Sequence, residues 1–347
     1  MGAQRALRPA VMPQHQPRQP ERAGPHRRVV RPLGLGQRPH LGYNAAISGL
    51  NLNFNRVNFG WQRQASGLAI AMDAPGDRFN APVAGVRMRA VDRDAPLFTY
   101  ADGGMVENWT VAARKLPTRG SRWLPVRHPP LYAGEVFRGL ARQSGVSLPA
   151  PQEVDHLPGG TVIATLQGDE LALVLRDMLR HSNNLIAEVS GLTASAAAGA
   201  PADTLAASAA TMTGWLRQRY GLADSRFADH SGLGEASRAT AADLVRLLAA
   251  EGPLPGLLKP VDAKGNPAIA GQVVAKTGTL NFVSALAGYL TPASGRRLCF
   301  AILTADEDRR DQVAPEDREA PPGAREWEGR SRAMQRALLA RWSGLPA

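Results

Sequence analysis

Two apolar runs late in the chain, Val283 to Thr291 and Arg297 to Thr304, are joined by the turn-forming residues Pro292-Ala293-Ser294-Gly295. So short a turn joins antiparallel partners. A further strand enters at Val273 to Ala275, and an amphipathic helix, Ser331 to Trp342, follows the pair. These strands come after a series of helical patterns rather than alternating with them. The order predicts an α+β architecture in which an antiparallel sheet is flanked by helices.

The helices are read from apolar spacing. Leu131, Val136, Phe137 and Leu140 fall on one side of a helix ending near Gly145. Asp169 and Glu170 open a second, on which Leu171, Val174, Leu175, Met178 and Leu179 recur at steps of three and four. Ala202 to Tyr220 and Thr240 to Ala250 give two more, the latter capped by Thr240 with Asp243 three residues on. These stripes are expected to be core. Between Tyr43 and Arg114 the pattern shifts to short strand-like runs, among them Leu50 to Phe54 and Val83 to Met88. The expected division is a tail at 1–40, a small β-rich region at 41–118 and an α+β domain at 119–347.

A formal charge of +11 suggests nucleic acid until it is located. Residues 1 to 40 hold eight arginines and one acid, so they supply +7 of it. The rest is too nearly balanced for a nucleic-acid face, and none is expected. The same forty residues are rich in Pro and poor in large apolar side chains, so the tail is expected to be disordered. It contains no apolar core of a signal peptide, and no stretch of 18 apolar residues predicts a membrane span. The single cysteine, Cys299, lies in the apolar run Leu298 to Leu303 and reads as a buried small residue. No Cys or His pairs stand at metal-ligand spacing, so neither metal nor cofactor is expected.

Two motifs carry chemistry. Ser182-Asn183-Asn184 precedes a helical run to Val189, and Lys276-Thr277-Gly278-Thr279 sits on a strand. The first could simply cap a helix. The second is more specific, because lysine occurs only at 115, 259, 264 and 276. In acyl transfer a hydroxyl beside an ammonium can pass a proton to a leaving amine, and an asparagine amide can hold a substrate carbonyl. Ser182, Asn184 and Lys276 suit these tasks. Thr277, Gly278 and Thr279 would let a carboxylate lie along the strand.

These motifs resemble those of the penicillin-binding serine peptidases, S-x-x-K, S-x-N and K-T-G. His181 to Glu188, then Asp229-His230-Ser231-Gly232-Leu233 before Ser237-Arg238, then Lys276 to Leu280, are similar in order and spacing to the D-alanyl-D-alanine carboxypeptidase/endopeptidase branch often called penicillin-binding protein 4. The resemblance spans roughly residues 40 to 345. It implies a penicillin-binding/β-lactamase-like sheet with a β-rich insertion, an acyl-enzyme mechanism, peptidoglycan stem peptides and β-lactams as partners, no cofactor, and a periplasmic location. By the same resemblance Ser182 is a proton shuttle, Asn184 holds the substrate amide and Lys276 supports the proton network. Thr277 and Thr279 bind the terminal carboxylate, and the Thr279 N–H is half of the oxyanion hole. Ser231 is expected to serve a turn.

The first of the three motifs is missing. Ala112, Gly256, Val261 and Val273 stand three residues before the four lysines, and none is a serine. The resemblance puts that motif on a helix ahead of the β-rich region, where the Pro/Arg stretch stands instead. A truncated or out-of-frame start and impaired activity are therefore expected. A non-catalytic D-alanyl-peptide or cell-wall binding relative is the alternative.

Overall fold

The computed structural model describes residues 40–345 apart from 155–158, 251, 253, 263, 265, 270, 293, 315, 316 and 319. The tail expected to be disordered lies, but for residue 40, outside the described residues. Seven strands come first: β1 (Arg56–Gln64), β2 (Gly67–Pro75), β3 (Asn80–Pro82), β4 (Val86–Val91), β5 (Phe98–Asp102), β6 (Glu107–Ala112) and β7 (Arg119–Pro125). They form two sheets, ordered β3-β2-β1-β7 and β4-β6-β5, antiparallel except for the β4–β6 pair. Val57, Phe59, Trp109, Val111 and Leu124 make their shared core. Helix α1 (Pro129–Gln143) joins that core through Tyr132 and Val136. The stripe read on α1 is offset by one residue at Phe137, which is 66% exposed, while Tyr132 and Ala133 are buried in its place.

Helices α2 (Leu171–His181), α3 (Asn184–Ala197), α4 (Leu205–Tyr220), α5 (Ala241–Ala250) and the short α6 (Leu254–Leu257) follow. The second sheet-forming set then runs β8 (Lys259–Pro260), β9 (Val273–Leu280), β10 (Val283–Leu290) and β11 (Leu298–Ala305), with α7 (Glu307–Asp311) and α8 (Ala324–Ser343) at the end. Its order is β11-β10-β9-β8, all antiparallel. The two-residue period of a strand divides the apolar side chains between two faces. Val273, Ala275, Leu286, Leu290, Phe300 and Ile302 pack with Leu339 of α8. Val274, Ala287, Tyr289 and Cys299 pack on the other face with Leu179 of α2, Leu248 of α5 and Leu254 of α6. The result is a mixed α+β fold with antiparallel sheets flanked by helices.

Two expectations need correction. Leu50 to Phe54 is not a strand. Its asparagines bond locally instead: Asn51 Nδ2 donates to the Ser48 carbonyl at 2.6 Å, and Asn55 Nδ2 to the Ala46 carbonyl at 2.8 Å. Such bonds compete with a ladder and tolerate the left-handed region, where Asn53, Phe54 and Asn55 all lie at φ 50 to 56°. Second, no residue of α2 is fully buried, and Leu171 is 66% exposed. Its first turn follows a segment, 159–170, that has no regular secondary structure and is itself exposed.

Candidate active site

The sheet decides where Lys276 points. Even-numbered residues of β9 share the face of Val274, which is packed beneath α2 and α5. Two residues on, Lys276 leaves that apolar cluster on the same side and meets the α2–α3 junction. There its Nζ donates to Ser182 Oγ at 2.6 Å and to the Thr277 carbonyl at 2.5 Å. Burial lowers its pKa from the usual lysine value, and the nearby Lys259 charge lowers it further.

The three residues of the Ser-Asn-Asn motif take different jobs. Asn183 is the helix cap, its side chain accepting from the Ile186 N–H at 3.0 Å. With that task taken, the flanking residues are released from it. Ser182 closes α2 in the left-handed region, at φ 53°, which turns the chain between the helices and presents Oγ to Lys276. Asn184 starts α3, and its Nδ2 donates to the Tyr43 carbonyl at 3.3 Å. The structure thus brings Ser182 and Lys276 into contact and sets Asn184 two residues from Ser182.

Thr277, Gly278 and Thr279 are exposed. Thr277 and Thr279 stand on the opposite face of β9 from Lys276, so their hydroxyls do not join the Lys276–Ser182 contact. Their backbone groups are better placed. The Val273 carbonyl accepts from the Val261 N–H at 3.0 Å on the β8 side. By the same period, the N–H and C=O groups of Thr277 and Thr279 project at that edge, beyond the point where β8 ends. Among the described residues no strand pairs with that stretch of edge. Gly278, on the face of Lys276, adds no side chain there.

Ser182 and Asn184 also line a groove of about 380 Å³ whose opposite wall is Gly42, Tyr43, Phe54 and Arg56. Glu188 and Leu233 are also among its lining residues. Glu188 is fully buried, and its two oxygens accept the N–H groups of His230 at 3.1 Å and Ser231 at 2.9 Å. Burial outweighs these bonds and raises its pKa to about 7. The turn it holds is closed by Asp229, which accepts from the N–H groups of Gly232 and Gly234, both at 2.6 Å. Ser231 sits within that turn and is tied to Glu188 through both its backbone N–H and its side chain.

Sequence reasoning had passed over Glu188, Tyr43, Phe54 and Arg56. An acid four residues after Asn184 on an otherwise apolar helix was the available signal for Glu188; the groove's far wall left none, since it comes from a segment 130 or so positions away. No group of three or more His, Cys, Asp or Glu among the described residues could hold a metal ion. No described helix is long and apolar enough to cross a membrane.

The chain is similar to several known proteins. Carboxypeptidase DacB of Mycolicibacterium smegmatis is 31% identical over 226 residues, covering 58% of this chain and 46% of that protein. A carboxypeptidase of Mycobacterium tuberculosis is 30% identical over 223 residues, covering 58% and 45%. The chain thus spans somewhat under half the length of these curated relatives. The crystal structure of penicillin-binding protein 4 from Haemophilus influenzae superposes with a TM-score of 0.63 at 18% identity, over 90% of this chain and 72% of that one, which establishes the shared fold. The pattern of the D-Ala-D-Ala carboxypeptidase 3 (S13) family matches residues 39–321, a stretch that contains the Ser182 junction, the Asp229 turn and the Lys276 strand, and the chain belongs to that family.

Proposed function

We propose that the groove receives peptidoglycan stem peptides ending in D-Ala-D-Ala, as expected of a serine-type D-Ala-D-Ala carboxypeptidase/endopeptidase of the cell wall and periplasm. The observation that carries this reading is the 2.6 Å contact between Lys276 Nζ and Ser182 Oγ at the mouth of an open strand edge. A peptide in extended form adds to that edge through backbone hydrogen bonds. Its terminal carboxylate meets the Thr277 N–H group and the Lys276 charge, and the Asn184 amide faces its penultimate residue. In the acyl-enzyme mechanism of this reading, the alcohol attacks the penultimate carbonyl. Ser182, hydrogen-bonded to Lys276, passes a proton to the departing D-alanine nitrogen, and the Thr279 N–H stabilises the oxyanion. β-Lactams, as mimics of the same dipeptide, would enter the same groove.

The attacking alcohol is the absent part, because no serine stands three residues before a lysine anywhere in the sequence. Turnover by this chain is therefore impaired while binding is retained. The test follows D-alanine release from an acyl-D-Ala-D-Ala peptide and the mass of the chain after exposure to a labelled penicillin. We expect neither release nor a covalent adduct; a stoichiometric adduct on any serine overturns the loss of the nucleophile.

A further inference from the structure

The β9 edge carries a second cation. Lys259 opens β8 and pairs with Ala275, and Pro260 pairs with Val274. Residues opposite one another in an antiparallel ladder share a face, so Lys259 stands on the face of Ala275 and of Thr277 two residues beyond it. One position earlier, Leu258 is buried in the apolar cluster with Val274 and Tyr289, and the chain before it is already the short helix α6. The cover that β8 gives β9 therefore stops at Lys259, and the edge N–H of Thr277 is the first to face no strand among the described residues. The Lys259 side chain is exposed at that opening.

An exposed lysine is ordinarily only solvated. Here lysine is scarce, at four of the chain's 41 basic positions, and two of the four meet at one edge. Their charges are close enough that Lys259 lowers the pKa of Lys276. Like charges so placed repel. No acid relieves them: among the described residues the lysine found in an ion pair is Lys115, with Asp94 at 4.0 Å. A carboxylate that accepts the Thr277 N–H lies where a continued β8 would run, between Lys276 on one face of the sheet and Lys259 on the other. Lys259 and Thr277 are diagonal neighbours across the ladder, about 7–8 Å apart, and a four-carbon stem ending in a compact ammonium covers that span.

We infer that Lys259 is a specificity-determining residue of the β9 edge, which together with the Thr277 N–H and Lys276 takes the free carboxylate of the bound peptide. The inference deepens the peptide reading given above and rests on it. Two cations bracket one carboxylate, so a peptide with a free D-alanine end is favoured over one whose last carboxyl is amide-linked to a further amine and brings no charge. Lys259 thus biases the edge towards carboxypeptidase rather than endopeptidase substrates.

Calorimetric titration of acetyl-Gln-D-Ala-D-Ala and of its C-terminal methylamide into the unmodified chain, K259Q and K259R tests it. The unmodified chain is expected to prefer the free acid. K259Q is expected to weaken the free acid by about three- to tenfold, between the size of an exposed ion pair and that of a charge-assisted hydrogen bond, whereas K259R keeps most of the affinity. K259Q also removes a charge that lowers the Lys276 pKa, so the alkaline decline of free-acid binding moves to higher pH, a shift that a change in packing would not produce. A folded K259Q that binds the free acid with full affinity, or more weakly but with an unmoved alkaline decline, overturns the assignment of Lys259 and leaves the groove's reading intact; a K259R as weak as K259Q does the same. Failure of the unmodified chain to bind the free acid, or its equal affinity for acid and methylamide, overturns the groove's reading and this one with it.

Discussion

Replacing Glu188 with glutamine should remove a pH dependence of stability that the native fold carries. In the folded chain this carboxyl holds its proton up to a pH of about 7, whereas the usual value is 4.5. The folded state therefore binds an extra proton between these limits. The sign follows: Glu188 contributes most below about pH 4.5, loses that contribution as pH rises towards 7, and changes nothing further above it. The gap corresponds to roughly 3 kcal/mol, a large share of a typical domain's stability. Glu188→Gln cannot titrate, so the term vanishes, although the amide nitrogen leaves one of the two N–H groups unsatisfied at about 1–3 kcal/mol. Denaturant unfolding at intervals from pH 4.5 to 7.5 measures both effects. The unmodified chain should fall towards the variant as pH rises, because the other titrating groups are common to the two. Curves that run parallel across the whole range would refute the burial argument for Glu188.

Ser182→Gly relieves a left-handed backbone at φ 53° and deletes the hydroxyl that Lys276 holds, so stability should rise by up to about 1 kcal/mol while peptide binding weakens; a thermal melt and a titration on the same sample separate the two. Gly191→Ala sets a methyl 2.2 Å from the His230 ring, which is fixed by Ser208 Oγ at 2.9 Å, so it should cost about 1–3 kcal/mol, and an unchanged melting temperature would contradict that packing. Because burial and Lys259 hold the Lys276 pKa below the ordinary lysine value, binding of a carboxylate-terminated peptide should decline at a lower pH than an exposed lysine would allow, as read from titrations across the alkaline range.

The parts of this molecule that follow from short-range rules were legible in the sequence. Strand period and the Pro-to-Gly turn located β10 and β11 to within a residue or two. Thr240 caps α5 as read, its Oγ1 accepting the Asp243 N–H at 3.1 Å. The Asp243 carboxylate, however, turns away from that helix start and accepts from Ser225 Oγ at 2.8 Å, a long-range choice that the spacing could not reveal. The same limit applies at the site. The serine and asparagines of the 182–184 motif were evident, but which of them capped the helix depended on the left-handed turn at Ser182. Phe54 and Arg56 were hidden because alternation over 50–54 imitates a strand, while the asparagine side chains bond to their own backbone. The position of Phe137 failed for a related reason: α1 packs on the strands before it, and that rotates the buried stripe towards Tyr132 and Ala133.

The groove's identity depends on Lys276 and the Ser182 junction acting together on a free peptide carboxylate. Calorimetric titration of acetyl-Gln-D-Ala-D-Ala into the unmodified chain and into Lys276→Met measures this directly. Saturable binding that the substitution abolishes, and that the C-terminal amide of the same peptide fails to reproduce, is the predicted result. Equal affinity for the free acid and its amide, or full binding by a folded Lys276→Met, would contradict it.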